Sequence, residues 1–236
     1  MNLLFEAFQF IFDPTSYGGP NGIDTRIIQH LLISFGVLAI AAGIAIPLGY
    51  YIGHTGRGRG IVVALSGGIR ALPTLGFLIL IALNSQVGLF APVIALVVLA
   101  VPSILAGAYT GFDAIDRRTI DAARAVGMTE IQIVGKVEVP LGLPLLMGGL
   151  RSATLQVIAT VTLADYVGGG GLGSYIFLGQ QVGDYPLMLA GSILVVFLAL
   201  VFEGIFAIIQ RLVIPAGVAA RPVKNLRPRP ITSRTV

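Results

Sequence analysis

The chain alternates between long apolar runs and short polar stretches. A helix needs ~20 apolar residues to cross the ~30 Å hydrocarbon core of a membrane. Five runs are long enough, at about residues 27–52, 61–83, 88–111, 142–164 and 187–213. The pattern predicts an all-α integral membrane protein with about five transmembrane helices. Within or beside these runs, kinks or local unwinding are predicted at Pro47, Pro73, Pro92 and Pro102.

A shorter apolar stretch, residues 1–12, precedes the first run. It has no basic segment, so it does not match a signal peptide. We expect a short helix in the membrane interface, and a partial sixth span is the alternative. The side chains expected against lipid are Leu4, Phe5, Phe8, Ile11 and Phe12.

The composition agrees with a membrane protein and excludes several kinds of chemistry. Hydrophobic residues make up 56% of the chain and charged residues 11%, against about 25% charged in soluble domains. The absence of cysteine excludes disulfides, thiol catalysis and Cys-ligated metals. Two histidines are too few for a His-rich metal site. We therefore predict no metal site and no catalytic residues in this chain.

The basic residues are distributed very unevenly between the predicted loops. They occur in residues 53–60, 112–141 and 215–236, whereas Arg26 is the only Lys or Arg in residues 1–26, 84–87 and 165–186. Because cytoplasmic loops are enriched in Lys and Arg, we expect an outside N-terminus and an inside C-terminus. This topology accounts for the net charge of +4 without a nucleic-acid partner.

The same pattern divides the chain into three parts. Residues 1–26 form an extracytoplasmic segment, and residues 27–214 form the transmembrane domain. Residues 215–236 are rich in Pro and basic residues and predict a disordered cytoplasmic tail.

Residues 112–141, here called the polar loop, contain signals for two short helices. Asp116 or Thr119 can cap a first helix that runs to about Val126. Gly127 suits the residue after a helix end, where φ is positive. Further signals are a Thr-x-x-Gln capping box and a proline expected to end the second helix, at Thr129, Gln132 and Pro140. The loop predicts a helix–turn–helix that exposes Ala122 and Ala123 as a flat patch, and an ordinary connecting loop is the alternative.

Sequence motifs in and around this loop resemble those of a known family. Asp121-Ala-Ala-Arg-Ala-Val-Gly127, followed after nine residues by Val137-Glu-Val-Pro140, resembles the Glu-Ala-Ala loop of ABC importer permeases. Asp replaces the usual Glu, and Val replaces Ile or Leu. Over roughly residues 27–214 the chain is similar to the permeases for glycine betaine, choline and related osmoprotectants, through Arg70-Ala-Leu-Pro-Thr74, Gly149-Leu-Arg-Ser-Ala-Thr154 and Gly168-Gly-Gly-Gly-Leu-Gly-Ser174.

The resemblance implies a multi-pass subunit in the cytoplasmic (inner) membrane of a prokaryote, and not an enzyme. Its expected partners are a second permease subunit, identical or paralogous, two ATP-binding subunits and an extracytoplasmic substrate-binding protein. The chain has no Gly-x4-Gly-Lys-Ser/Thr loop, so ATP and Mg are expected on the partner ATPase. The implied ATPase-coupling residues are Asp121, Ala122, Ala123, Arg124, Gly127, Glu130 and Pro140.

The resemblance also suggests the transported compound. A compatible solute is implied: glycine betaine, carnitine, choline or proline betaine. A permease for methionine, taurine or nitrate is the nearest alternative. An ion-coupled secondary transporter is a different class, which would usually need inverted repeats and ion-coordinating groups near the membrane midplane.

Three charged residues fall well inside predicted spans. Arg70, Arg151 and Glu203 lie roughly 12–15 Å from the cytoplasmic ends of their spans at ~1.5 Å per residue. Since isolated charges at that depth are costly, a structural pair between Glu203 and one arginine is favoured. The alternative is that both arginines reach towards the interface and Glu203 is protonated or pairs with a second subunit.

A glycine-rich stretch separates the last two runs. It follows a membrane span, not a strand, which argues against a phosphate-binding loop. We expect a flexible outer turn that lets the fourth and fifth spans move during gating. Its glycines are Gly168, Gly169, Gly170, Gly171 and Gly173.

Overall fold

The computed structural model describes residues 2–84 and 88–213, which form helices joined by short turns and contain no strand. The predicted tail, residues 215–236, lies outside the described residues. Short 3₁₀ turns cover Pro14–Ser16 and Thr162–Val167, and a π-helical segment covers Val134–Glu138. The helices are α1 (Leu3–Phe12), α2 (Ile23–Thr55), α3 (Arg59–Arg70), α4 (Thr74–Leu83), α5 (Phe90–Asp113), α6 (Arg117–Ala125), α7 (Glu130–Ile133), α8 (Val139–Val161), α9 (Gly173–Val182) and α10 (Tyr185–Val213).

The number of membrane-crossing helices agrees with the sequence pattern. Within the described ranges, four helical stretches are long and apolar enough to span a membrane, and α3 with α4 makes a fifth if the bent pair is one span. The all-helical, multi-pass fold is therefore confirmed. Which end of the bundle faces the cytoplasm stays a prediction.

The second span is broken. The apolar run at 61–83 was expected to form a single span, but α3 and α4 meet at 90°. The break falls at Ala71–Pro73, because Pro73 has no N–H to donate and disfavours the helical conformation at Leu72. Proline alone does not decide the outcome, since Pro47 and Pro102 lie inside unbroken helices.

The core of the bundle is α5 packed between α2 and α8. The packing is close because glycines face one another: a β-carbon added at Gly107 would lie 2.9 Å from the Cα of Gly149. Gly111 and Gly142 meet in the same way, one helical turn further on. Small residues let helix backbones approach in lipid, where dispersion contacts replace the hydrophobic drive. These three helices form the frame that carries the loops at both ends.

A second buried cluster joins α10, α9 and α1 to the start of α2. Ile23, Leu172 and Tyr175 are among its buried members. α1 has 10 residues and is ~15 Å long, too short to cross a membrane. Four of its five predicted lipid-facing side chains are exposed, but Ile11 is buried in this cluster. The expectation for Ile11 was wrong because α1 packs on α10 with that side.

Candidate functional site

The polar loop has the helix ends that its sequence predicts. α6 starts after Asp116, whose carboxylate accepts a hydrogen bond from the N–H of Arg118 at 2.9 Å. After α6, Gly127 has a φ of +84°, which glycine adopts without strain. The capping box also forms, since the N–H of Thr129 donates to Gln132 Oε1 at 3.0 Å and that of Gln132 to Thr129 Oγ1 at 3.4 Å.

Pro140 does not end the second helix, contrary to the sequence prediction. α7 runs through the π-helical segment Val134–Glu138 directly into α8. The N–H of Val139 donates to the carbonyl of Val134, five residues back. This wider turn precedes Pro140, which sits at the start of α8, where its missing N–H is tolerated. The second arm of the polar loop is therefore continuous with a membrane span.

The two alanines of the motif have different environments. Ala122 is exposed, but Ala123 is buried and packs with Ile120 and Ile133. The expected flat patch of both alanines is therefore wrong. Since Ile120 and Ala123 are three residues apart on one face of α6, they form the contact with α7 and turn Ala122 outward.

Large apolar side chains are exposed in the turn after α6 and in the first turn of α7. Val126 is 78% exposed and Ile131 is 86% exposed. Ala122, one turn before Val126, and Gly127, next to Val126, are also exposed. Large apolar side chains exposed on an otherwise polar segment make it a candidate for a surface that another protein covers.

Charged side chains fix the two arms of the loop to each other. Arg124 donates from Nε and Nη2 to the two carboxylate oxygens of Glu130, at 2.8 and 3.1 Å. Its Nη1 also lies 3.6 Å from Asp121 Oδ1. A bidentate arginine–carboxylate pair fixes orientation as well as distance, so these predicted site residues hold the shape of the loop.

Two further residues, not singled out from the sequence, connect the loop to α2. His54, in the last turn of α2, places Nδ1 2.7 Å from Glu138 Oε2 and Nε2 3.3 Å from Glu130 Oε2. Glu138 is buried. A ring with a proton on each nitrogen can donate to both carboxylates. Glu138 occupies a variable position between Val137 and Val139 in the motif, so no sequence signal marked it.

The three charged residues expected well inside the spans separate into two groups. Arg151 on α8 donates from Nε to Glu203 Oε2 on α10 at 2.8 Å, and its Nη2 contacts the other carboxylate oxygen. Its Nη1 donates to Gln210 at 3.1 Å. Arg70 lies elsewhere and donates to Ser103 Oγ at 3.4 Å. The structure thus brings Arg151 and Glu203 together and leaves Arg70 out of the pair.

The glycine-rich stretch, here called the glycine loop (residues 168–173), is hydrogen-bonded to α2. The N–H of Gly171 donates to Gln29 Oε1, and that of Leu172 donates to Nδ1 of the buried His30, both at 3.3 Å. Three of its glycines have positive φ: Gly168, Gly170 and Gly171. Gly173, the first residue of α9, has no room for a side chain, because a β-carbon would lie 2.0 Å from the carbonyl oxygen of Thr162. The gating role of this loop stays a prediction.

Comparisons with known proteins identify the family to which the chain belongs. A model of the binding-protein-dependent transport system inner membrane component family matches residues 45–215. The choline transport system permease protein OpuBB of Bacillus subtilis (strain 168) is 32% identical over 192 residues, covering 81% of this chain and 88% of that protein. The carnitine transport permease protein OpuCB of Listeria monocytogenes is 34% identical over 175 residues, covering 74% and 80%.

Solved structures share the fold. A structure of inward facing conformations of the MetNI methionine ABC transporter matches with a TM-score of 0.70 and 24% identity, covering 81% of this chain and 95% of that chain. The chain belongs to the binding-protein-dependent transport system inner membrane components. It is thus a multi-pass, inner-membrane permease subunit of an ABC importer, a transport component and not a catalyst.

Proposed function

We propose that this permease carries a compatible solute, namely glycine betaine, carnitine, choline or proline betaine, into the cell. An extracytoplasmic binding protein delivers the solute, which crosses between two permease subunits. Separate ATPase subunits bind ATP and Mg and dock on the polar loop. The support for the solute class is that relatives at 32–34% identity are permeases for choline, for carnitine, or for glycine betaine, carnitine and choline.

The exposed tip of the polar loop is the single observation that best supports a docked ATPase. Val126, Ile131 and Ala122 present apolar surface on a segment that is otherwise polar. The bidentate Arg124–Glu130 pair and the packing of Ala123 keep that surface in one shape. A preformed surface binds a partner without the cost of ordering a loop.

The contacts behind the tip suggest how docking reaches the membrane spans. The helix that starts at α7 continues as α8, so a displacement of the loop is passed along one rigid element. His54 adds a second connection, to α2, through Glu138 and Glu130. Closure of an ATPase dimer beneath the loop would therefore move α2 and α8 together.

The alternatives transport different compounds or use different energy. Methionine remains a candidate because a methionine ABC transporter has the same fold. However, a likeness at 24% identity supports the fold and not the cargo. Taurine and nitrate have no comparable support, and family membership argues against the ion-coupled secondary transporter.

Reconstituted transport tests the proposal. The permease, its ATPase and its binding protein are placed in proteoliposomes, and uptake of radiolabelled glycine betaine, carnitine and choline is measured with ATP inside. We expect uptake of at least one of these solutes, dependent on the binding protein and abolished when the ATPase nucleotide site is inactivated. Uptake driven by an ion gradient without the ATPase, or competition only by methionine, taurine or nitrate, would contradict it.

A further inference from the structure

Arg26 is the only Lys or Arg in the segments that the sequence predicts to lie outside. It lies in the first turns of α2, in the wall of a cavity of about 690 Å³. Small-molecule sites usually have volumes of ~300–1,000 Å³. Arg26 therefore lines a cavity large enough for a small solute and several waters.

The walls of this cavity carry both signs of charge and aromatic rings. Asp165 and Tyr166 come from the 3₁₀ turn before the glycine loop, and Tyr175 and Phe177 from α9. The Tyr166 and Phe177 rings meet edge to face, with centroids 5.5 Å apart. Tyr166 is about half exposed. The aromatic surface is thus available to a ligand.

Among the described residues, the two charged groups of the cavity have neutral partners. Arg26 donates from Nη1 to Gln29 Oε1 at 3.0 Å and from Nη2 to Asn21 Oδ1 at 2.7 Å. Its Nε–H is buried and meets no acceptor in residues 2–84 and 88–213. Asp165 accepts a hydrogen bond from the Ser174 hydroxyl at 2.9 Å. Neither charged group forms a salt bridge in this part of the chain, so both charges remain available.

From this arrangement we infer that the cavity is a binding site for a zwitterion that carries a carboxylate and a quaternary ammonium group. The carboxylate binds the guanidinium of Arg26, because hydrogen bonds between charged groups are stronger than those between neutral groups. The ammonium group lies against the Tyr166 and Phe177 rings, near the Asp165 carboxylate, because cations are attracted to aromatic faces. This inference rests on the proposed function and adds a site at which the permease itself recognises the solute.

The position of the site indicates its role. It joins α2 to α9 at the end of the bundle away from the polar loop, next to the glycine loop. A solute released by the binding protein would reach this cavity before the membrane spans. Bound there, it would bridge α2 and α9 beside the hydrogen bond that the Tyr175 hydroxyl donates to the carbonyl of Asn21, just before α2, at 2.7 Å.

Saturation-transfer NMR on the purified permease–ATPase complex, without binding protein, tests this site. Saturating the aromatic protons should transfer signal to the N-methyl protons of glycine betaine and choline. In Arg26→Gln, we expect the Kd for glycine betaine to rise about tenfold, the smaller end of the effect of losing a hydrogen bond to a charged group. The Kd for choline, which has no carboxylate, should stay unchanged. Asp165→Asn should weaken both.

Matched controls are Arg57→Gln and Asp184→Asn, which remove like charges at exposed positions outside the cavity. Absence of N-methyl signal with the unaltered complex, or equal weakening of both solutes by Arg26→Gln, would overturn the inference. It would also be overturned if Arg26→Gln left both Kd values unchanged and only reduced stimulation of the ATPase by the binding protein. Solute uptake by the unaltered complex is measured in parallel, so failure of the proposed function is distinguishable from failure of this site.

Discussion

At the scale of single residues, neighbouring positions of the Asp121–Gly127 motif have different structural roles. Ala122 is exposed, whereas Ala123 is buried and packs with Ile120 and Ile133. The resemblance of the motif predicts a functional role for the two small residues Ala122 and Ala123. It could not assign them to inside or outside, because the face of α6 that packs inward depends on where α7 folds back.

Tryptophan substitutions at these two positions should have opposite effects. In Ala123→Trp, overpacking should destabilise the loop by about 1–3 kcal/mol, seen as a lower midpoint for unfolding of the purified permease. Ala122→Trp should leave that midpoint unchanged and prevent co-purification of the ATPase, because the bulk lies on the exposed surface. If Ala122→Trp supports normal co-purification and transport, the ATPase does not dock there.

At the scale of elements, the apolar runs located the spans well, because ~20 apolar residues leave few alternatives to a membrane helix. Proline effects were harder to predict. Pro73 breaks its span, but the helix passes through Pro140 because a π-helical turn precedes it. The second of these outcomes depends on hydrogen bonds that no local pattern reports. α9 lies in a segment for which the apolar pattern predicts only an outer loop.

We expect the ion pair between Arg151 and Glu203 to stabilise the packing of α8 against α10. We expect a double-mutant cycle with Arg151→Ala and Glu203→Ala to give a coupling of at least about 0.5 kcal/mol in unfolding free energy, the lower limit for contacting residues. The matched cycle with Arg70→Ala and Glu203→Ala should be additive, because Arg70 contacts Ser103 instead. Additivity in the first cycle would show that the pair contributes no specific stability.

At the scale of the whole molecule, the polar loop and the cavity lined by Arg26 lie at opposite ends of the bundle. This separation matches the uneven distribution of basic residues along the sequence. Both proposals depend on it, because the ATPase is expected at one end and the binding protein at the other. The orientation of the whole molecule is therefore worth a direct measurement.

Single-cysteine labelling can measure it without background, since the chain has no cysteine. In intact cells, a membrane-impermeant maleimide should label Thr15→Cys. It should label Val126→Cys only after permeabilisation, because the polar loop is expected inside. Both positions are exposed, so a difference reports sidedness and not burial. Labelling of Val126→Cys alone in intact cells would invert the topology.

The continuous helix behind the polar loop has a mechanical consequence. From Glu130 to Val167 it runs for 38 residues, roughly 57 Å at 1.5 Å per residue, while the hydrocarbon core is ~30 Å thick. Such a rod is a lever arm that extends beyond the membrane core. A tilt of about 5° around the Val167 end would displace the Glu130 end by about 5 Å, given the length of the rod. We therefore expect a displacement of the polar loop to tilt this whole span as one body rather than to bend it locally.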